Sequence, residues 1–159
     1  MKERLDVQIR RGGYADIPII TRNNIAMARE TEGKILDPIS ATQGVDGLLH
    51  DPAKGFYLLA ERGDRIIGQC MVTYEWSDWR NGTFWWIQSV YVDEGYRKKG
   101  VFNSLYLELL HMAQEQSDVA GLRLYVDRTN RLAQKVYRHQ GMKKTGYRIF
   151  EVEFRKNMD

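Results

Sequence analysis

A short cationic segment is the part of this sequence best suited to chemistry. It reads Arg97-Lys98-Lys99-Gly100-Val101-Phe102 and follows the strand-like run Val90-Tyr91-Val92. Apolar residues at helical spacing come directly after it. In such a strand–loop–helix arrangement, the first backbone N–H groups of the helix are unpaired and point outward. They lie at the positive end of the helix dipole, where phosphate binds. The segment therefore predicts a phosphate site, whereas a run of cations taken alone is more typical of a solvated surface.

Spacing excludes two better-known phosphate motifs. The P-loop pattern of Gly, four residues, then Gly-Lys-Ser or Gly-Lys-Thr does not occur, and no Ser or Thr follows Gly100 to hold magnesium. No three-glycine dinucleotide fingerprint follows a strand either. The three histidines have no metal-ligand spacing with Cys70 or with an acidic residue. The loop is therefore predicted to bind phosphate without a metal.

A second group of residues shares one face of a predicted helix. Asn130 and Tyr137 lie two helical turns apart, with the small residue Ala133 between them on the same face. Gly141 suits the position just past the end of that helix. This face would accommodate a narrow ligand, although an amphipathic helix packed on a sheet explains the same pattern.

Periodicity predicts the elements that position both groups. Three strand-like runs separated by the turns Arg62-Gly63-Asp64 and Asn81-Gly82 predict an antiparallel meander. The order predicts an α/β (α+β) fold with a mixed central sheet, covered by helices on both faces. No linker or repeat divides residues 1–159, so we expect a single domain. The predicted strands are 7–10, 56–60, 65–74, 83–92, 121–126 and 148–154; the predicted helices are 15–28, 101–116 and 130–140, and residues 31–50 form a loop with one short helix ending near His50.

Composition and charge limit where the protein can act and what it can bind. The sequence has no apolar run long enough to cross a bilayer and no leader-like segment, which favours a cytoplasmic location. Cys70 is the single cysteine, so an internal disulfide is impossible. A net charge of +3 is too small to argue for a nucleic-acid partner. Core packing or a homodimer interface explains the tryptophans clustered around the Asn81-Gly82 turn at least as well as stacking on a substrate does.

Taken together, the two motifs resemble those of the GNAT superfamily of acyl-CoA-dependent N-acetyltransferases. In that family, a strand that ends in a Tyr-Val-like pair is followed by a conserved motif. The motif consists of Arg or Gln, two variable residues, Gly, one variable residue, and then Gly or Ala. Here Arg97 and Gly100 match, whereas Phe102 replaces the small residue. Asn130 and Tyr137, followed by Gly141-Met142, are similar to the later family motif. The resemblance covers about the last two thirds of the chain and agrees with the predicted order of elements.

The resemblance implies that acetyl-CoA is the cosubstrate and that Tyr137 is the general acid. A tyrosine with a pKa near its reference value of about 10 stays protonated at neutral pH and can donate to a thiolate. In the family, the strand diverges from its parallel neighbour around the equivalent of Val90, and the freed N–H groups polarise the thioester. The implied cosubstrate-binding residues are Val90, Tyr91, Val92, Arg97, Lys98, Lys99, Gly100, Val101, Phe102, Asn130, Ala133 and Tyr137.

The general base is left open. Several relatives place a Glu on the strand where this chain reads Trp86-Ile87-Gln88-Ser89, and an amide such as Gln88 cannot accept a proton at ordinary pH. Glu75, on the neighbouring strand, is the candidate base acting through a water molecule, although a solvent-facing strand residue is the more usual explanation of a glutamate there. The alternative is that the amine arrives already neutral.

The predicted function is transfer of an acetyl group from acetyl-CoA to a primary amine of a small molecule or peptide, by direct attack of the amine on the thioester. Two alternatives stay open. A non-catalytic acyl-CoA-binding or sensing module is compatible with Gln88 and Phe102. A polyanion-binding protein is compatible with the basic clusters, but no nucleic-acid motif supports it.

Overall fold

The computed structural model describes residues 5–155 around a five-stranded sheet of order β1-β2-β3-β4-β5. Neighbouring strands from β1 to β4 are antiparallel, and β4 and β5 are parallel. The predicted mixed sheet with an antiparallel meander is therefore confirmed. The elements are β1 (Gln8–Arg11), α1 (Ile17–Glu32), α2 (Pro38–Leu49), β2 (Gly55–Arg62), β3 (Arg65–Ser77), β4 (Gly82–Val92), α3 (Val101–Gln114), β5 (Val119–Arg123) and α4 (Arg131–His139).

Helices cover both faces of the sheet, as predicted. Alternate residues of β2 point to opposite sides, so Leu58 packs in one hydrophobic cluster and Leu59 in the other. The larger cluster joins the sheet to α3 through Leu105 and Leu109, both fully buried. The smaller one joins it to α1 and α2 through Ile20, Val45 and Leu48. Because β2 is covered on both faces, its sequence is continuously apolar instead of alternating.

Local capping sets the ends of the first two helices. The sequence predicted that α1 ends near residue 28, but it continues to Glu32 because Gly33 adopts a left-handed φ of 64° and closes it there. The predicted loop at 31–50 is largely helical. Asp37 accepts a hydrogen bond from the Ser40 backbone N–H (2.8 Å), and Pro38 occupies the first turn of α2.

The last two predicted strands differ from the structure. The strand expected at 121–126 begins and ends earlier, at Val119–Arg123. The strand expected at 148–154 is wrong, because those residues form no ladder with the sheet. Alternation of apolar residues specifies which side chains share a face, but a strand also needs a neighbouring edge to pair with. The segment does not reach such an edge within its own chain.

Helix α3 is the crossover between the parallel strands β4 and β5. Its buried side chains fix it against the sheet, and its N-terminus is thereby held beside the carboxyl end of β4. This is the position at which α/β proteins bind ligands, outside the carboxyl ends of the strands.

Candidate active site

The loop between β4 and α3 has a backbone suited to an anion. Lys98 and Gly100 adopt left-handed φ angles of 62° and 84°. The first hydrogen bond of α3 runs from the Ser104 N–H to the Gly100 carbonyl (3.0 Å), so the preceding N–H groups of the helix have no intrahelical acceptor. A Cβ atom added at Gly100 would have no heavy atom within 4 Å. An open space bordered by helix N-terminal donors fits a pyrophosphate.

Two of the three loop cations are tied to the protein itself. The Arg97 Nε donates to the Val92 carbonyl (2.9 Å), and its Nη2 pairs with the Glu30 carboxylate at 2.6 Å. The Lys99 ammonium donates to the Gly95 carbonyl at 2.8 Å. These contacts connect the loop to the end of β4 and to α1. They therefore order the loop backbone as well as placing positive charge there.

The second half of β4 leaves its parallel neighbour. β5 pairs with β4 only from Thr83 to Trp86; beyond that point Ile87 is buried and residues 88–92 are half-buried. β4 also carries a bulge, because Ser89 and Val90 together face Cys70 of β3. Ser89 has a left-handed φ of 49°, a strained conformation for a residue with a side chain. Pairing with β5 thus ends four residues before Val90, and the edge of β4 that faced β5 is open beyond Trp86.

A buried amide network supports this bulge. Gln69 is 0% exposed, and its Oε1 accepts from the Asn23 side-chain amide at 3.0 Å. Its Nε2 donates to the Asn24 Oδ1 (2.9 Å) and lies 3.5 Å from the Ser89 carbonyl oxygen. Both asparagines belong to α1. The network therefore links α1 to the bulged part of β4 through the interior of the protein.

Gln69→Leu is expected to lower the free energy of unfolding by about 1–3 kcal/mol, because it leaves buried amide groups without hydrogen-bond partners. Urea denaturation followed by circular dichroism measures the change. Gln43→Leu is the matched control, since Gln43 is exposed on α2 and its replacement should change stability little. Equal stabilities for the two variants would contradict a stabilising role for the network.

Helix α4 places Tyr137 next to the start of α3. The Asn130 Oδ1 accepts from the Ala133 N–H (3.0 Å) and caps the helix, while Gly141, at a φ of 85°, ends it as predicted. The Tyr137 ring meets the Phe102 ring edge-on, with 5.6 Å between centroids. Burial raises the pKa of the Tyr137 phenol above its usual value. The Tyr137 phenol therefore stays protonated at neutral pH, and its ring lies beside Phe102, the last residue of the loop at 97–102.

The sequence model of the Acetyltransferase (GNAT) family matches residues 24–142. The chain belongs to the GNAT acetyltransferase family. The match includes both the loop at 97–102 and the helix that carries Tyr137. No curated protein matches the chain significantly.

Solved structures agree with the family assignment. A possible acetyltransferase from Clostridium difficile 630 is 42% identical, with a TM-score of 0.88 over 94% of this chain and 99% of that one. A predicted acetyltransferase with acetyl-CoA from Clostridium acetobutylicum shares the fold at 17% identity, with a TM-score of 0.75 over 92% and 96% of the two chains. A ribosomal-protein-alanine N-acetyltransferase from Brucella melitensis biovar Abortus 2308 does so at 20% identity, with a TM-score of 0.73 over 94% and 100%.

In this GNAT acetyltransferase, most of the predicted cosubstrate residues lie close together. Residues 90–92 end β4, the loop at 97–102 follows, and Tyr137 packs on Phe102. Asn130 and Ala133 lie on the preceding turns of the same helix as Tyr137, and the Asn130 side chain is occupied as its N-cap. Their roles in binding stay predictions.

Phe102 departs from the family pattern, and its ring packs between helices. Besides Tyr137, it lies against the Tyr106 ring of α3, with 6.2 Å between centroids. Next to it, the Gln140 side-chain amide donates to the Asn103 side chain. The bulky residue at this position therefore joins α4 to α3 at the point where the general acid is predicted.

Glu75 lies apart from this group. In the sheet it faces Phe84, five residues before the bulge, which is about 16 Å along a strand. Its carboxylate pairs with the Arg123 guanidinium at 2.6 Å. Gln88, nearer the bulge, donates its side-chain amide to the Thr73 hydroxyl. The predicted base is thus an ion-paired residue of β3 that faces the other end of β4.

Sequence reasoning missed two contacts that shape the site, those of Gln69 with its amide partners and of Glu30 with Arg97. A glutamine inside the apolar run 66–72 was a usable signal, because a buried amide needs partners. Glu30 carries no such signal, since its pairing with Arg97 joins residues far apart in sequence.

Among residues 5–155, no cluster of three His, Cys, Asp or Glu side chains is arranged to hold a metal ion. In that part of the chain, no helix combines the length and apolarity needed to cross a membrane.

Proposed function

We propose that this acetyltransferase transfers the acetyl group of acetyl-CoA to a primary amine of a small molecule or peptide. The observation that carries the proposal is the open space at Gly100, at the N-terminus of α3, together with Tyr137 packed on the neighbouring residue Phe102. A phosphate site and a half-buried phenol in one region suit a phosphorylated acyl donor whose leaving group needs a proton. We propose a single domain over residues 1–159; the cytoplasmic location stays a prediction.

The unpaired backbone groups of the loop, of α3 and of β4 suggest which part of CoA each would bind. The first N–H groups of α3 and the loop at 97–102 would receive the pyrophosphate, with Lys98 and Lys99 adding positive charge. The open edge of β4 at residues 90–92 would pair with the amide groups of the pantetheine arm. Arg97 would hold this arrangement through its bonds to Val92 and Glu30.

Acetyl-CoA supplies the thioester. The protein would polarise the thioester carbonyl and supply a proton to the leaving sulfur. The amine nitrogen forms a bond to the carbonyl carbon while the carbon–sulfur bond breaks and its electron pair leaves with sulfur. The Val90 N–H at the bulge would stabilise the developing charge on the carbonyl oxygen. Tyr137 would donate its proton to the sulfur, and the amine would lose one proton to a base.

Glu75 stays our proposal for that base; because about 16 Å of strand separate it from the bulge, it would act through a chain of water molecules. If it is the base, Glu75→Gln should lower kcat about 10²-fold and remove the acidic limb of the pH–rate profile, because a base acts only when deprotonated. Arg123→Gln is the matched control, since it breaks the same ion pair but keeps the carboxylate. Small and equal effects of the two variants on kcat would leave Glu75 with a structural role only.

The proposed function is tested by following free thiol released from acetyl-CoA against a panel of polyamines, aminoglycosides, amino acids and peptides. Release should depend on an added amine, and mass spectrometry should find that amine acetylated. Thermal stabilisation by CoA without turnover on any amine would favour a sensing module instead. Acetylation of a hydroxyl group instead of an amine would contradict the N-acetyltransferase assignment.

A further inference from the structure

A cavity of about 380 Å³ opens at the C-terminal end of α3, beside the first half of β4. It is lined by side chains of three strands and of the end of α3: Arg11, Tyr74, Trp85, Met112, Glu115 and Gln116. The loop at 97–102 lies at the other end of α3, a helix of 14 residues and so about 21 Å long. The volume is at the low end of the range for ligand sites, roughly 300–1,000 Å³. The cavity is therefore separate from the proposed phosphate site and suits a small ligand.

Arg11 is the cation of this cavity, and the protein restrains it without neutralising it. Its guanidinium carbon lies 4.0 Å from the centroid of the Phe56 ring, in a cation–π contact. The preceding residue, Arg10, points to the other face of the sheet, where it pairs with Asp16 and Glu61. In the part of the chain that the structure describes, no ion pair includes Arg11. A restrained guanidinium without a carboxylate partner suits the carboxylate of a ligand.

Negative charge in the cavity comes from the end of α3. Glu115 caps the C-terminus of the helix, and its carboxylate lies 3.5 Å from the His111 Nε2, a contact that is an ion pair only when the histidine is protonated. The C-terminal end of a helix dipole is also negative and favours a nearby cation. The side-chain amide of Gln116 adds a neutral donor and acceptor to the same wall. Together these groups suit the ammonium group of a ligand.

Two aromatic rings and a thioether form the rest of the wall. The buried Trp85 ring packs edge-on against Phe56, with 5.3 Å between centroids, and its centroid lies 6.2 Å from that of the half-exposed Tyr74 ring. Burial raises the pKa of the Tyr74 phenol, and the charge of Arg11 opposes that effect, so the guanidinium is within electrostatic reach of this ring. Met112 contributes its side chain from α3. Aromatic rings and thioether sulfur both pack well on a further aromatic ring, so the wall suits an aromatic side chain.

We propose that this cavity binds one free amino acid with an aromatic side chain. The carboxylate of the ligand would pair with Arg11, its ammonium group with Glu115 and the end of α3, and its ring would pack on Trp85. A ligand that carried only one of the two charges would leave the opposite group of the cavity without a partner, whereas a zwitterion satisfies both. Trp85 lies about 13 Å along β4 from Ser89, so the bound amino acid would not be the acetyl acceptor. The proposal does not depend on acetyl transfer.

Calorimetric titration of the full chain with L-phenylalanine and L-tryptophan tests the proposal. Two analogues of phenylalanine, 3-phenylpropanoate without the ammonium group and 2-phenylethylamine without the carboxylate, should each bind about tenfold more weakly, because each loses a charge-assisted hydrogen bond. Arg11→Gln and Glu115→Gln should each weaken binding of L-phenylalanine by a similar factor and leave the circular dichroism spectrum unchanged. Arg62→Gln is the matched control and should keep the affinity, because Arg62 is another exposed arginine over an aromatic ring, that of Tyr96, at the far end of β2.

Three outcomes would overturn the proposal. The first is that neither amino acid binds at millimolar concentration. The second is equal affinity of the wild type and either charge variant, which would place the bound amino acid elsewhere, for example as an acceptor beside the bulge of β4. The third is equal affinity for L-phenylalanine and either analogue. That comparison uses the wild type alone, so it decides the question even if Arg11→Gln disturbs the packing on Phe56.

Discussion

Gly100→Glu is expected to abolish binding of CoA. The space beside the Gly100 Cα is open and lies at the N-terminus of α3, so a glutamate side chain would project into the proposed pyrophosphate position. Its negative charge would also repel the phosphates and occupy the helix N-terminal donors. Millimolar CoA should raise the thermal midpoint of the wild type; at about 100 times Kd, a ligand stabilises by about 2.7 kcal/mol. The variant should show no rise.

A backbone effect must be separated from this loss of binding. The φ of 84° at Gly100 means that any side chain there introduces strain. Gly63→Glu is the matched control, because Gly63 has a left-handed φ of 58°, an equally open Cβ position and a place in the turn between β2 and β3. It should lower the midpoint without CoA by a similar amount but keep the CoA-induced rise. Normal CoA affinity in Gly100→Glu would show that the phosphate site is elsewhere.

Tyr137→Phe is expected to lower kcat about 10²-fold, the lower end of the range for general acid–base catalysis. The hydroxyl is lost while the ring contact with Phe102 is kept, so CoA affinity should change little. Stopped assays of thiol release and calorimetric titration with CoA measure the two quantities separately. Tyr14→Phe is the control, because Tyr14 is exposed and stacks on His50.

The direction of the Tyr137 pKa shift adds a pH prediction. A general acid must be protonated, so its activity is present below its pKa and is lost as pH rises through that value. Burial raises the pKa of this phenol from its usual value of 10.0. Deprotonation of Tyr137 should therefore cause no fall in kcat below about pH 10. An unchanged kcat in Tyr137→Phe would mean that the leaving group takes its proton from another donor.

The local sequence was sufficient to predict features that form within a short stretch of chain. The meander followed from turn residues between strand-like runs. The loop at 97–102 followed from a glycine and a cation run between a strand and a helix. Gly141 was placed correctly because a left-handed residue past a helix end is a local requirement.

The pairing of distant residues could not be derived in this way. Arg97 meets Glu30, Glu75 meets Arg123 and Gln69 meets Asn23 and Asn24, and each contact joins elements that only the folded sheet brings together. The strand expected at 148–154 failed for the same reason, since alternation cannot indicate whether an edge is within reach.

The sequence by itself determined the family, the position of the loop at 97–102 and the helix that carries Tyr137, because each depends on residue types at fixed spacing. The tertiary structure decided that Phe102 packs on Tyr137, that a buried amide network supports the β4 bulge and that the C-terminal segment leaves β5 open. These contacts depend on distances between elements, which close packing of the whole chain sets and short-range patterns do not encode.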